Sequence, residues 1–133
     1  MGKIRILIAH SDNNITNKII NSIKSLEYAE IVGMASNGRE TYDKIIDLKP
    51  EVVFAKFDME TMNGLEIVKK SKENLGNDVP VFNMITNTSV SDKDIREVYD
   101  MIGKKLNSFV SEPVDNSIID NIMETYREYK ENK

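Results

Sequence analysis

Five polar residues with reactive or charged side chains, His10, Ser11, Lys56, Thr86 and Glu112, each lie at the end of a short apolar run. Imidazole, hydroxyl, ammonium and carboxylate groups are those that enzymes use for proton transfer and nucleophilic attack. His10 is the only histidine, which excludes a multi-histidine metal site, and Ser11 has no partner base to activate it. We therefore expect a structural role for His10, and we expect the Ser11 hydroxyl to bond backbone groups in a loop.

The composition indicates a single soluble-type domain and argues against several kinds of ligand and partner. The chain has 133 residues, 40% of them hydrophobic and 30% charged, so it has the size of one domain with a substantial core. It contains no cysteine, which excludes disulfides and thiolate metal sites. A formal net charge of −4 opposes the basic face that nucleic-acid binding requires. The first apolar run is too short for a signal-peptide core or a membrane span, which predicts a cytoplasmic protein without a membrane partner.

Apolar periodicity predicts strands that alternate with helices. The predicted strands are 3–9, 29–35, 52–55, 79–85 and 106–110. Asn13 or Asn14 is expected to cap the first helix, and the later helices are expected to begin at Asn37, at Gly64, at about Ser91 and after Pro113. Glu40, three residues after Asn37, resembles the second half of a capping box. Residues 127–133 are interpreted as a fraying helix end.

This alternation predicts an α/β fold, with residues 1–133 in a single domain. Parallel neighbouring strands need a crossover helix, so we expect a parallel sheet covered by helices on both faces. Ligands of such sheets bind outside the carboxyl ends of the strands. This rule places Ser11, Lys56, Thr86 and Glu112 around one pocket.

Residues 49–66 read Lys-Pro-Glu-Val-Val-Phe-Ala-Lys-Phe-Asp-Met-Glu-Thr-Met-Asn-Gly-Leu-Glu. The stretch resembles the middle of a bacterial response-regulator receiver domain of the CheY-like kind. In that family a Pro-Asp-Val-Val-like start leads to a phosphorylatable Asp and then to a Met-Pro-x-Met-x-Gly loop. The resemblance extends from Lys3 to about Tyr126 and includes Asn63-Gly64 and Pro113. It implies a flavodoxin-like, doubly wound sheet of strand order 2-1-3-4-5 with five helices, and a role in two-component, phosphorelay-type signal transduction.

The charged positions of the pocket depart from the family pattern. Receiver domains carry a magnesium-binding acidic pair after the first strand, an acceptor Asp after the third and a Lys after the fifth; the matching residues here are His10-Ser11, Lys56 and Glu112. Because magnesium prefers carboxylates, the resemblance implies a degenerate pseudo-receiver that binds neither magnesium nor another cofactor. Phosphoryl transfer then loses its nucleophile and its charge neutralisation, so no enzymatic activity is expected. Thr86 and Phe109 match the family's switch pair.

Several interpretations of the pocket stay open. Lys56 and Glu112 could form a salt bridge that inverts the family's Asp-Lys pair, or both side chains could extend into solvent. Asp58, two residues past Lys56, is a candidate substitute phosphoacceptor. Asp12 could cap a helix or bind a metal. The Glu112-Pro113 bond matches a position that is often cis in the family, and the sequence leaves cis and trans open.

The sequence supports three functional hypotheses. The first is a receiver-like domain that acts by contact with a protein partner or a second copy. Its contact face would be the fourth helix, fifth strand and fifth helix, with Lys93, Arg96, Glu97 and Lys104 exposed. The second is the amino-terminal receiver of a longer DNA-binding regulator whose effector follows Lys133, since residues 30–38 are similar to sporulation-control regulators. The third is a flavodoxin-like cofactor binder. It has the least support, because residues 10–14 lack the glycines or the Ser/Thr-rich run that would cradle a phosphate.

Overall fold

The computed structural model describes residues 2–87 and 90–132. The strands are β1 (Ile4–Ala9), β2 (Ala29–Ala35), β3 (Val52–Lys56), β4 (Val81–Thr86) and β5 (Ser108–Ser111). The helices are α1 (Asn13–Lys24), α2 (Gly38–Leu48), α3 (Gly64–Leu75), α4 (Asp92–Ile102) and α5 (Asn116–Glu131). All strand pairs are parallel, and the sheet has the order β2-β1-β3-β4-β5. The predicted α/β architecture and strand order are therefore confirmed.

The last two strands begin later than the sequence pattern indicates. β4 begins after Pro80, which has no N–H for the ladder. β5 begins after Asn107, whose side chain accepts a hydrogen bond from Phe82 N–H at 2.7 Å and donates to the carbonyl of Ile102 at 3.0 Å. Asn107 thus joins β4 to the end of α4 through its amide group, and ladder pairing resumes only at Ser108.

Alternate residues of β3 fill two cores, one on each face of the sheet. Val53 and Ala55 pack with residues of α2, α3 and α4. Val52 and Phe54 pack with residues of α1 and α5. None of these four side chains is more than 1% exposed, which explains why the run is continuously apolar rather than alternating. The two helical layers leave the ends of the strands as the place for polar groups.

A side chain caps the amino end of each of these five helices; the caps are Asp12, Asn37, Asn63, Ser91 and Asp115. The predicted cap of α1 at Asn13 or Asn14 is wrong, because Asp12 accepts the hydrogen bond from Asn14 N–H at 2.8 Å. The predicted Asn37 cap is confirmed, since its side chain accepts from Glu40 N–H at 2.9 Å.

The amino end of α2 holds the loop that follows β3. Gly38 N–H donates to the carbonyl of Glu60 at 2.9 Å, and Arg39 N–H donates to Thr61 Oγ1 at 2.9 Å. Thr61 has φ of 71°, a conformation that is unfavourable for a β-branched residue. A Cβ at Gly38 would lie 1.7 Å from the carbonyl oxygen of Met62, so only glycine fits there. The loop beside the candidate site is therefore held in one shape by α2.

The carboxyl end of α5 stays helical as far as Glu131, which includes residues 127–131 of the segment predicted to fray. Arg127 pairs with Glu124 and with Glu131, and Lys130 Nζ pairs with Glu51 at the start of β3. Lys133 lies outside the described residues. No helix within residues 2–87 and 90–132 has both the length and the apolar character to cross a membrane.

Candidate functional site

The carboxyl ends of the strands bring most of the predicted site residues to one edge of the sheet. The register pairs Lys56 of β3 with Ile85 of β4, and Thr86 with Ser111 of β5. Glu112 continues this pairing, since its backbone N–H donates to the carbonyl of Thr86 at 2.7 Å. Lys56, Thr86 and Glu112 therefore occupy neighbouring positions along the edge.

His10 is the buried group of this edge, directly after β1. Its side chain is 1% exposed, and its Nδ1 accepts a hydrogen bond from the backbone N–H of Asp12 at 2.9 Å. A ring nitrogen that accepts an N–H carries no proton, so the neutral imidazole has its proton on Nε2. Nε2 faces Glu112 Oε1 at 3.5 Å, which is longer than an ordinary hydrogen bond. Ser11, the next residue, is exposed.

Burial lowers the pKa of His10 below its usual value of 6.5, because the charged imidazolium would lose solvation. The carboxylate of Glu112 raises this pKa, the ammonium of Lys56 lowers it, and the carboxylate of Asp12 raises it. The net direction is downward, so the imidazole is neutral at pH 7. The contact is therefore not an ion pair: the neutral imidazole points its Nε2–H dipole at the carboxylate of Glu112.

Glu112 is directed toward His10 and not toward Lys56. Its side chain is 13% exposed, and within residues 2–87 and 90–132 no ion pair of 4.0 Å or less joins it to Lys56. The predicted salt bridge is therefore wrong, because the carboxylate turns inward to the buried imidazole. Lys56 ends β3 half-buried and acts on His10 through its charge. The alternative in which Glu112 extends into solvent does not describe the structure either.

A cleft of about 420 Å³ lies between α4 and the ends of β4 and β5. Thr86, Phe109 and Glu112 line it, so the two residues predicted as a switch pair face one space. The ring of Phe109 packs against Phe57 and Tyr99, with centroid distances of 5.8 and 5.6 Å. The ring of Phe109, which lines the cleft, is thus held in place by two neighbouring rings.

Four further residues line this cleft and were not predicted as site residues: Asn87, Val90, Ile95 and Ser111. Ile95 belongs to the apolar stripe of α4, whose members are expected in the core. Ser111 has no sequence signal beyond its place before Glu112. The strand register, which brings Ser111 beside Thr86, is the information that was missing.

Three further positions singled out from the sequence, Asp12, Asp58 and Pro113, are not among the described residues that line the cleft. Asp12 is exposed and caps α1, as one of its two interpretations predicted. Asp58 is exposed in the loop after β3. The Glu112-Pro113 peptide bond is cis.

Comparisons with known proteins agree with this fold, although no family model matches the chain. A protein-glutamate methylesterase/protein-glutamine glutaminase of Nocardioides sp. is 28% identical over 129 residues, which cover 96% of this chain and 34% of that protein. The chain thus spans about a third of the length of the curated relatives it matches.

Solved receiver structures superpose over nearly the whole chain. The response regulator domain of Thermotoga maritima CheB has a TM-score of 0.75 at 20% identity and covers 95% of both chains. The signal receiver domain of NarL from Mycobacterium tuberculosis has a TM-score of 0.77 at 13% identity and covers 93% of this chain and 96% of that one. The chain therefore has the CheY-like fold of response-regulator receiver domains.

The side chains at the strand ends do not fit the magnesium ion that receiver domains are expected to bind. The positions of the acidic pair hold a buried imidazole, committed at Nδ1 to Asp12 N–H, and the exposed hydroxyl of Ser11. The acceptor position holds the ammonium of Lys56. Magnesium requires oxygen ligands and is held in proteins by carboxylates, so this donor set suits it poorly.

Proposed function

We propose that the chain is an atypical receiver domain that acts by protein contact, without phosphorylation at position 56 and without magnesium. The observation that carries this proposal is the arrangement around His10. A neutral imidazole faces Glu112, while the position of the acceptor carboxylate holds the ammonium of Lys56. A phosphoryl group has no carboxylate to accept it there, and the ammonium repels the metal that would neutralise its charge.

The test is incubation of the protein with a small phosphodonor and magnesium, read by intact mass. The wild type is expected to stay unmodified, whereas a receiver domain with an intact acidic pocket, treated in parallel, gains one phosphoryl group. A phosphorylated wild type would contradict the proposal. The Asp58→Asn variant then decides whether Asp58 is the substitute acceptor, because its loss of modification would locate the phosphoryl group in the loop after β3.

We propose that the contact surface is the face formed by α4, β5 and α5. Its charges are of both signs and partly paired, with Lys93 Nζ 3.9 Å from Glu97 and Lys104 Nζ 5.5 Å from the ring centre of Tyr99. A surface of mixed charge suits a protein partner or a second copy better than it suits nucleic acid. Light scattering of the wild type against Arg96→Glu distinguishes the two, since loss of a dimer in the variant supports self-association.

A second candidate function is the amino-terminal receiver of a longer regulator. The greater length of the curated relatives favours it, because the segment they share with this chain is about a third of each. In that case the domain has no enzymatic activity of its own and acts on a following effector through the same face. A gene whose reading frame continues beyond Lys133 into a DNA-binding or catalytic segment supports this candidate, and a stop codon there contradicts it.

A further inference from the structure

The cleft beside Thr86 has the mixed lining of a ligand site. Its volume of about 420 Å³ lies within the range of small-molecule pockets, roughly 300 to 1,000 Å³. Thr86 and Ser111 contribute hydroxyl-bearing side chains to its lining, and Ile95 and Phe109 contribute apolar ones. Glu112 contributes the one carboxylate among the described lining residues.

The carboxylate of Glu112 has no cationic partner beside it. Its side chain is 13% exposed, and among residues 2–87 and 90–132 the group within 4.0 Å that could pair with it is His10, at 3.5 Å. That imidazole is neutral at pH 7, so it supplies an N–H dipole and not a positive charge. A positive group that joined this partly buried carboxylate would be attracted more strongly than at a fully exposed carboxylate.

Glu112 is the one charged residue among the described residues that line the cleft, so the lining favours a cation. The ammonium of Lys56, which acts on the neighbouring imidazole of His10, opposes the entry of a second cation. Lys56 does not complete the site, because it forms no ion pair with Glu112 in the described part of the chain.

We propose that this cleft binds the guanidinium group of an arginine side chain presented by a protein partner. A guanidinium can donate two parallel hydrogen bonds to the Glu112 carboxylate and further bonds to the hydroxyls of Thr86 and Ser111. Its planar face can stack on the ring of Phe109, and the aliphatic stem can pack against Ile95. A hard metal ion binds through oxygen ligands and would gain nothing from the apolar side chains of Ile95 and Phe109. The inference rests on the proposed function, since it names the chemistry of the protein partner.

The test uses two probes of different size. NMR-detected titration of the nitrogen-15-labelled protein with agmatine, a guanidinium on a short apolar stem, is expected to give saturable shifts centred on Thr86 and Phe109. A capped Gly-Arg-Gly peptide should bind more tightly than agmatine if the ligand is a protein side chain. Equal or weaker binding of the peptide would overturn the assignment to a protein partner, and absence of saturable shifts with either probe would overturn the site.

Variants locate the binding group. Glu112→Gln should weaken agmatine binding at least tenfold, whereas Glu73→Gln, at an exposed glutamate of α3, should leave it unchanged. Lys56→Met should tighten binding, because it removes the competing positive charge. If Glu112→Gln does not fold, Phe109→Leu keeps the carboxylate and should weaken binding by loss of the aromatic face. Unchanged affinity in the folded variants would contradict the proposal.

The phosphorylation assay separates this inference from the proposed function. Phosphoryl transfer to the wild type overturns the proposed function whatever agmatine does. An unmodified protein that also fails to bind either probe overturns the arginine site alone.

Discussion

His10 Nε2 lies 3.5 Å from Glu112 Oε1, although two strands, β3 and β4, separate β1 from β5 in the sheet. The contact therefore passes over the ends of the central strands, where Lys56 and Thr86 lie. It replaces the contact that charge alone would favour, between Lys56 and Glu112. The carboxylate thus faces the buried imidazole rather than the ammonium.

This arrangement predicts the tautomer and the titration of His10. Proton-detected NMR of the single histidine should find the neutral ring protonated at Nε2, because Nδ1 accepts the Asp12 N–H. The measured pKa should lie below 6.5, since burial penalises the imidazolium. A pKa above 6.5, or a proton on Nδ1, would show that Glu112 dominates over burial.

The same shift predicts how stability depends on pH. Because the pKa of His10 is lower in the folded than in the unfolded state, the unfolded chain binds more protons as the pH falls below 6.5. His10 therefore contributes a loss of stability that begins below that pH, grows down to the folded-state pKa and is absent above pH 7. Urea unfolding at pH 7.5 and pH 5.5 should give a larger drop for the wild type than for His10→Asn, which can still accept the Asp12 N–H. An equal drop in both proteins would contradict the assignment.

In double-mutant cycles, the effect of Glu112 on the free energy of unfolding should depend more on His10 than on Lys56. Residues in contact couple by about 0.5 kcal/mol or more, and separated residues are additive to within about 0.3 kcal/mol. We expect Glu112→Gln with His10→Asn to couple by about 0.5 kcal/mol or more, and to couple more strongly than Glu112→Gln with Lys56→Met. The measurement is the free energy of unfolding of each single and double variant at pH 7.5. A larger coupling for the Lys56 pair would restore the salt bridge that the sequence suggested.

The fold was predictable from the sequence because its signals are local. The apolar run of β3 and the apolar stripes of the helices need no knowledge of distant residues. The partner of Glu112 was not predictable in this way, since His10 and Lys56 both lie at strand ends on the same edge, and the sequence does not show that the Asp12 N–H fixes the imidazole through Nδ1 and leaves Nε2 facing Glu112. The contact between the carboxyl end of α5 and the sheet was not predictable for a similar reason, because Lys130 meets Glu51, which is 79 residues away in the chain.

Gly38→Ala should destabilise the protein strongly. A Cβ at this position would lie 1.7 Å from the backbone oxygen of Met62, so either α2 or the loop after β3 must move. We expect a loss of at least about 2 kcal/mol in the free energy of unfolding, as for overpacking against rigid groups. Gly2→Ala is the matched control, because nothing lies within 4 Å of its Cβ, and it should change stability by less than about 0.5 kcal/mol. Similar melting of both variants would mean that the loop yields easily.

Glu51→Ala should release the carboxyl end of α5 from the sheet. Glu51 Oε2 accepts the backbone N–H of Arg5 at 2.9 Å, while Oε1 faces Lys130 Nζ and the hydroxyl of Tyr126. Burial, followed by the nearby carboxylate of Glu51, raises the pKa of Tyr126 to about 12, which is consistent with a hydroxyl held against a negative group. One carboxylate thus connects β1, β3 and α5.

We expect Glu51→Ala to lower the free energy of unfolding by about 1–2 kcal/mol, because it leaves a backbone N–H and a phenol without their acceptor. Lys130→Ala should cost less, about 0.5–1 kcal/mol, since this lysine is partly exposed and its pairing is screened. Hydrogen exchange should quicken in the last two turns of α5 in both variants, ahead of the central strands. Glu128→Ala, at an exposed residue of the same turns, is the control and should leave the exchange of those amides unchanged. Equal protection of the α5 amides in Glu51→Ala and in the control would show that packing of Met123 and Ile119 alone keeps the helix on the sheet.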